Sequence, residues 1–487
     1  MTDRALRLLL QDARLAELAA YPFDFDVERA GYGHVEPVRL ASGGSLRIVA
    51  GDAGGGSYFV CEDGSVLYAD SEGSAGIVGA GVDEALEIII GLEDAEDYDD
   101  EEAAALEEAR TELRAALGFP ERPRDELEAL LDAALARTEP DFLLLNAEEG
   151  RAYDLIGPPP PPLWEPVLAA GRADLAALRA EDRAVWDAVA EDPVRRRIAL
   201  RAAQFDRAEG DLGPLRRLLR HEARSSMTDE LRLAAVLVGL HGGIEDLPLL
   251  HEVRRTDFDT ACGLSELPGL DADPAELLGW ARELDDLMFG TDPADEPLYT
   301  WTDLALDQGM TNLARCALIR RLDAIELDQG LLRRTDDPTR LDTSELSALV
   351  ADLERIGEPG QALRAQRLHT ALQETASDRV SARLTQARLE RETEQLPAAD
   401  RSLAALRDTL AESKDDSLRF WQGTSLGRYI TEEHYHLALA LADAGSAEEA
   451  RALLGAAEAI RGELSESAAL GARELAERAV RWVRGLS

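Results

Sequence analysis

Lysine is almost missing from this chain: Lys414 is the only one, and arginine supplies every other basic residue. Cysteine is scarce too. Cys61, Cys262 and Cys316 lie far apart, form no CxxC pair and are odd in number, which argues against a disulfide framework; free, buried thiols in a reducing compartment are expected. Long apolar runs are lacking as well, since the run Ala234–Leu240 falls far short of the roughly 20 residues a membrane span needs. The opening stretch, MTDRALRLLLQDARLAEL, carries a charge every few residues and no apolar run beyond Leu8–Leu10, so no signal peptide is expected there. These absences together predict a cytoplasmic protein.

Positive charge is the largest deficit. Against 96 acidic residues stand 52 basic ones, a formal net charge of -44. Such a surface stays soluble and repels polyanions, so neither general nucleic-acid binding nor anionic-membrane binding is expected. The acidity is dispersed except in Glu93–Glu102, where eight of ten residues are acidic. That block reads as a solvated linker, with Asp97, Asp99 and Asp100 as candidates for docking a basic partner.

What is present is enough to fold. A hydrophobic fraction of 45% is that of a globular protein, and 487 residues suggest two or three domains. Three short β-rich runs, Leu46–Ala50, Tyr58–Cys61 and Val66–Ala69, are separated by Gly51–Gly56 and by Glu62–Gly64, which predicts an antiparallel meander. Asp83 is the expected N-cap of the helix that follows through Ile88–Ile90. Further on the period changes: Leu127, Leu130, Leu131, Ala134 and Leu135 mark one helix face. Five consecutive prolines, Pro158–Pro162, can join neither a helix nor a central strand and predict a stiff spacer.

Beyond the prolines almost only helices are expected. Asp273-Pro274-Ala275-Glu276 supplies an N-cap, a first-turn proline and a capping-box acid, and Ser446 with Glu449 suggests another box. Gly210, Gly242-Gly243, Gly357 and Gly445 read as helix stops. The expected fold is therefore mainly α, with a small N-terminal α+β domain followed by solenoid-like helical pairs. The expected boundaries are residues 1–118 for the α+β domain, 119–156 for a helical extension, 157–162 for the spacer, 163–295 for a helical-pair domain and 296–487 for a second one.

Two resemblances add to this. Leu437, Ala438, Leu441, Gly445, Ala450, Leu454 and Ala457 have the spacing of the tetratricopeptide pattern, with small residues where paired helices approach closely. A weaker copy uses Leu349, Val350, Leu353, Gly357 and Ala362, and a fragmentary third uses Ala387, Ala399, Leu403 and Leu406. Stacks of this kind usually present a groove that holds a peptide or a partner helix. At the other end, residues 46–92 resemble the second half of SUKH-superfamily domains through Gly51-Asp52, Gly54–Gly56, Tyr58-Phe59, the Val66–Asp70 strand and the Ala85–Leu92 helix. That resemblance implies a non-enzymatic binding module, often a bacterial immunity protein that neutralises a toxin.

Motifs for chemistry are wanting. Gly51–Gly56 has no following Gly-Lys-Ser/Thr and leads to a strand, so it reads as a turn rather than a phosphate loop. His434 and His436 stand two apart on an expected helix and point to different sides, which does not suit one metal ion. Cys262, in Thr-Ala-Cys-Gly, reads as a buried structural thiol. No catalytic residue, cofactor or metal is expected. One segment opposes the global charge: between Arg195 and Arg224 lie nine arginines and four acids. Arg195, Arg196, Arg197, Arg216, Arg217 and Arg220 are the candidate residues for an acidic or phosphorylated partner, against the plainer reading of helix-surface ion pairs. The expected function is that of a non-enzymatic protein-binding protein, of immunity or conflict-system type, with a regulatory scaffold that holds a peptide as the alternative.

Overall fold

The computed structural model describes residues 4–94, 99–180, 183–332, 343–413 and 416–485. Among them the chain is mainly helical, with a small, largely antiparallel sheet near its start. No helix among the described residues is long and apolar enough to cross a membrane. The contacts divide into two units: one of Met1–Gly33, Ala41–Leu143 and Asp154–Ala317, the other of His34–Leu40, Leu144–Tyr153 and Leu318–Ser487.

The first unit opens with α1 (Arg4–Gln11) and α2 (Ala13–Ala20). Leaving aside β1 (Val38–Leu40), which belongs to the second unit, its sheet uses β2 (Leu46–Gly51), β3 (Ser57–Cys61), β4 (Val66–Ala69) and β5 (Ser74–Gly79). α3 (Val82–Leu92), α4 (Asp100–Leu117) and α5 (Arg124–Leu135) follow. The expected meander is there, and it is longer than expected. β2, β3, β4 and β5 pair in order and antiparallel; then, after β6 (Leu144–Asn146) of the second unit, β7 (Asp154–Leu155) adds to β5 in parallel. Val66, Val78, Val82, Leu86, Leu106 and Leu113 form one buried cluster with residues of α1 and α2, which is why these short strands read as apolar runs. Gly79 shows why β5 escaped the sequence pattern: a Cβ there would lie 2.6 Å from the Ala85 backbone nitrogen, so the strand-to-helix crossing requires glycine.

Asp83 does not cap α3. Gly81 holds that position, and the Asp83 carboxylate instead accepts from the backbone N–H of Ala5 at 2.8 Å, tying α1 to α3. Residues 157–162 are exposed and have no helix or strand, and both of their flanks lie in the first unit. Helices α6 (Trp164–Arg179), α7 (Arg183–Glu191), α8 (Pro193–Phe205), α9 (Leu212–Glu222), α10 (Asp229–His241), α11 (Leu247–Arg254), α12 (Phe258–Gly263), α13 (Pro274–Met288) and α14 (Leu298–Asp307) complete this unit with the start of α15 (Thr311–Leu332). α13 carries the expected capping box: Asp273 accepts from Ala275 and Glu276, and Glu276 accepts from Asp273. α10 is buried on nearly every side, which explains its unbroken apolar run.

The second unit takes in the rest of α15, then α16 (Thr343–Arg355), α17 (Pro359–Ala371), α18 (Ala376–Glu392), α19 (Leu396–Glu412), α20 (Ser425–Asp443), α21 (Ala447–Glu463), α22 (Glu466–Gly471) and α23 (Arg473–Arg484). α16 packs on α17, α18 on α19 and α20 on α21. The three turns inside these pairs are equivalent. Gly357, Glu394 and Gly445 all adopt a left-handed backbone (φ 78°, 61° and 82°). Each is followed by the same helix-closing bond: Glu358 N–H to Leu353, Gln395 N–H to Glu390 and Ser446 N–H to Leu441, at 2.9, 2.7 and 2.9 Å. Ala362, Ala399 and Ala450, each fully buried, take the matching place on the second helix. Ser446 precedes α21 without a side-chain cap, so the expected second capping box is not formed. The unit also contains the two-stranded ribbon of β1 and β6, with Arg39 opposite Leu145.

Candidate partner-binding groove

α20 is the longest helix of the three pairs and is nearly encircled. Ile430, His434, Tyr435, Leu437, Ala438 and Leu441 are buried. His434 shows how firmly this core is set. Its Nδ1 lies 2.7 Å from the Ile430 carbonyl, and its Nε2 lies 2.8 Å from the Arg407 guanidinium. A guanidinium only donates, so Nε2 must accept and the ring is neutral with its proton on Nδ1. Burial, with Arg407 beside the ring, pushes its pKa down to about 4.

The remaining stripe of α20 lines two adjoining depressions of about 340 and 530 Å3 that share His436. The first is walled by Leu384, Thr385, Arg388 and Arg391 of α18 and by Tyr429, Glu432 and Glu433. The second is walled by Leu439, Ala440 and Asp443 and by Arg478, Arg481 and Trp482 of α23. Helical spacing explains both sides. Residues three and four apart on α20 fall on one stripe, and Arg478, Arg481 and Trp482 do the same on α23, whose opposite face buries Ala476, Ala479 and Val483.

Within the groove the charges divide into spent and unspent. Arg391 makes a forked pair with Glu433 at 2.7 and 3.1 Å, and Arg388 makes one with Glu354 at 2.5 and 2.9 Å. Beside the groove Arg428 stacks over the Tyr429 ring at 4.7 Å, and its Nε pairs with Glu432 at 3.6 Å. Arg478 and Arg481 make no ion pair or hydrogen bond among the described residues. Beside them the Trp482 indole donates to Asp443 at 2.8 Å while 55% of the residue stays exposed. Burial raises the pKa of Glu432 and of Glu433. Burial lowers that of His436, and Arg391 and Arg478 lower it further, a sign of locally positive potential.

The residues singled out from sequence lie elsewhere. Arg195 pairs with Asp174 at 2.6 Å; Arg196 and Arg197 share the fully buried Glu222 at 2.5 and 2.9 Å; Arg216 pairs with Asp246 at 2.5 Å. Arg217 pairs with Asp187, and among the described residues Arg220 reaches only the Arg216 carbonyl on its own helix, at 3.5 Å. The segment is thus stitched into α6–α11 by acids distant in sequence. Asp99 caps α4 in a capping box with Glu102, and Asp100 is the first residue of that helix. Asp97 lies outside the described residues. The Gly51–Gly56 turn closes on Asp52, which accepts from Gly56 N–H at 2.7 Å and from Tyr68 Oη at 2.5 Å. Cys61 and Cys316 are buried, but Cys262 is exposed, contrary to the sequence reading: α12 is a short surface helix in which only Thr260 is buried.

The α23 arginines do not stand out in the sequence, for a physical reason. Glu474 and Glu477 precede Arg478 and Arg481 by four residues, the spacing of an ordinary helix ion pair. In the fold Glu477 turns to Arg473 at 3.3 Å instead. No protein-family model, curated protein or solved structure matches the chain.

Proposed function

We propose that the protein is a non-enzymatic binding protein, and that its second unit holds an acidic segment of a partner protein in the groove along α20. The observation that carries this reading is the pair of unspent guanidiniums, Arg478 and Arg481, beside the exposed Trp482. In a chain of net charge -44, cations left without acids on a concave, partly aromatic surface favour an acidic occupant. Trp482 and Tyr429 supply flat apolar area at low entropic cost, as anchors at interfaces do. The three equivalent helical pairs support the tetratricopeptide-like reading, in which such a surface holds a peptide.

The test uses the full chain and fluorescein-labelled acidic peptides that contain leucine, read by fluorescence anisotropy. Binding should weaken with salt and fall at least tenfold in the double variant Arg478→Glu, Arg481→Glu, while the variant's far-UV circular dichroism and melting temperature stay those of the parent. Equal binding by parent and variant removes the groove from consideration.

The SUKH resemblance makes a different demand, namely a toxin held by the N-terminal α+β portion. It is favoured by the antiparallel run β2–β5 leading into α3. A partner whose binding survives the groove reversal and is lost on altering the surface of β2–β5 and α3 would support that second reading.

A further inference from the structure

The two depressions along α20 have one lining residue in common, His436. A segment that fills both therefore passes over its imidazole. The ring is half-buried and makes no hydrogen bond or ion pair among the described residues. In this it differs from His434, two residues earlier on the same helix, whose two ring nitrogens are both engaged. The helical period turns His434 into the core and leaves His436 at the surface.

The charges around His436 come from three helices. α18 presents Arg388 and Arg391, forked onto Glu354 and Glu433. α20 itself presents Glu432, held by Arg428 at 3.6 Å, together with Glu433 and Asp443. α23 presents Arg478 and Arg481, which make no ion pair among the described residues. α19, α21 and α22, the other α-helices packed on α20, contribute nothing to either lining. In this setting burial holds the imidazole below its ordinary pKa, and Arg391 and Arg478 act in the same direction. More burial would push it lower still. A carboxylate within about 4–6 Å acts the other way and favours the imidazolium by a factor of about ten or more.

We infer that the groove takes up its acidic occupant together with a proton on His436, so that the protein holds this partner more tightly under mildly acidic conditions than under alkaline ones. This regulation rests on the acidic occupant proposed above. A carboxylate of that segment lies between the imidazole and the α23 arginines, and the imidazolium joins Arg478 and Arg481 as its third cation. By linkage, a pKa that is higher in the complex than in the ligand-free chain adds affinity that is complete below the ligand-free value. That added affinity is lost as the pH rises through the value in the complex. An occupant that laid only apolar groups on His436 would give the opposite sign, because it would add burial without charge.

The experiment is isothermal titration calorimetry of the full chain with the terminally blocked peptide Asp-Glu-Leu-Glu-Asp-Leu-Glu between about pH 5.5 and about pH 8, where its carboxylates stay ionised. Thermal melts at each pH confirm that the chain is folded. Binding should be about three- to tenfold tighter at the acidic end, since a pKa difference of one is a factor of about ten. Heats measured near about pH 6.5 in MES and in bis-Tris, whose ionisation enthalpies differ, should show a fraction of a proton taken up per peptide. His436→Gln should lose both the uptake and the slope while binding as the parent does at the alkaline end. Histidine-ring NMR of the parent reads the same proton without a variant: one ring should titrate at higher pH once peptide is added. Proton release, no proton change or no ring whose midpoint rises overturns the role of His436 and leaves the groove standing. A slope kept in His436→Gln does the same and assigns the proton to Glu432 or Glu433. A peptide that binds at no pH, or that binds the variant Arg478→Glu, Arg481→Glu as well as the parent, removes the groove and the proton switch together.

Discussion

The ionisable side chains of this protein act according to what the fold places next to them. His434 is the clearest case. With a folded pKa of about 4 against an ordinary 6.5, it takes up its proton more readily in the unfolded chain. The unfolded state therefore binds more protons between those values, and this group's contribution to stability, full above pH 6.5, is lost as the pH falls from 6.5 toward 4. The parent should lose stability over that window, by up to roughly 3 kcal/mol from this residue. His434→Gln should flatten that part of the curve in urea titrations, and an unchanged slope would remove His434 as the cause. Cysteines sort in the same way. Burial pushes the Cys61 thiol up to about 12, and Cys316 is buried with its Sγ 3.1 Å from Glu139, whereas Cys262 is exposed. Iodoacetamide under native conditions is expected to modify Cys262 alone, with the other two reacting only in denaturant. Peptide mass spectrometry checks this, and early labelling of Cys61 would contradict its burial.

At the scale of elements, the repeat turn is the informative feature. Gly357 and Gly445 adopt the left-handed backbone without cost, but Glu394 does so as a non-glycine residue, and it is exposed. A side chain in that conformation costs about 1–2 kcal/mol. Glycine regains this and loses about 0.4–1 kcal/mol through the greater freedom of the unfolded chain. Glu394→Gly should therefore stabilise the protein by about 0.5–1 kcal/mol, measured as a shift of the urea midpoint; a lower midpoint would show that the Glu394 side chain has a role of its own. The same residue explains why the α18–α19 pair was fragmentary in the sequence. Glycine is missing at the turn, and Glu390 replaces leucine one turn earlier, buried through a 2.7 Å bond from Ser402. A pattern that seeks leucine and glycine passes over glutamates that do the same structural work by hydrogen bonding.

At the scale of the whole molecule, the chain order and the structural units disagree. The proline run 158–162 invites a cut, yet His34–Leu40 and Leu144–Tyr153 belong to the second unit. They supply the Gly150 carbonyl to Gln361 and Arg364, the Tyr153 carbonyl to Arg320 at 2.7 Å, and the Ala152 N–H to Asp323 at 3.1 Å. A fragment beginning at Leu163 lacks these partners for part-buried groups of α15 and α17. Hydrogen exchange in α15 and α17 should be faster in that fragment than in the full chain. Equal protection would mean that the helical pairs are self-sufficient.

The amino-acid pattern alone determined the fold class, the strands β2–β4, the α13 capping box and the first and last of the three repeat turns. Each of these depends on residues within a few positions of one another, where periodicity and turn chemistry act directly. The parallel β7, the β1–β6 ribbon and the grouping into units were decided by tertiary structure, because they join segments distant in the chain, while β5, though local, went unread because the close crossing onto α3 requires glycine at Gly79. Ion pairing followed the same division. The arginines between 195 and 224 stood out as a local excess because the acids of Arg195 and Arg216, Asp174 and Asp246, lie outside that segment, whereas Glu474 and Glu477, four residues before Arg478 and Arg481, pair with neither of them among the described residues. Sequence records which charges exist, and only packing determines which of them face each other.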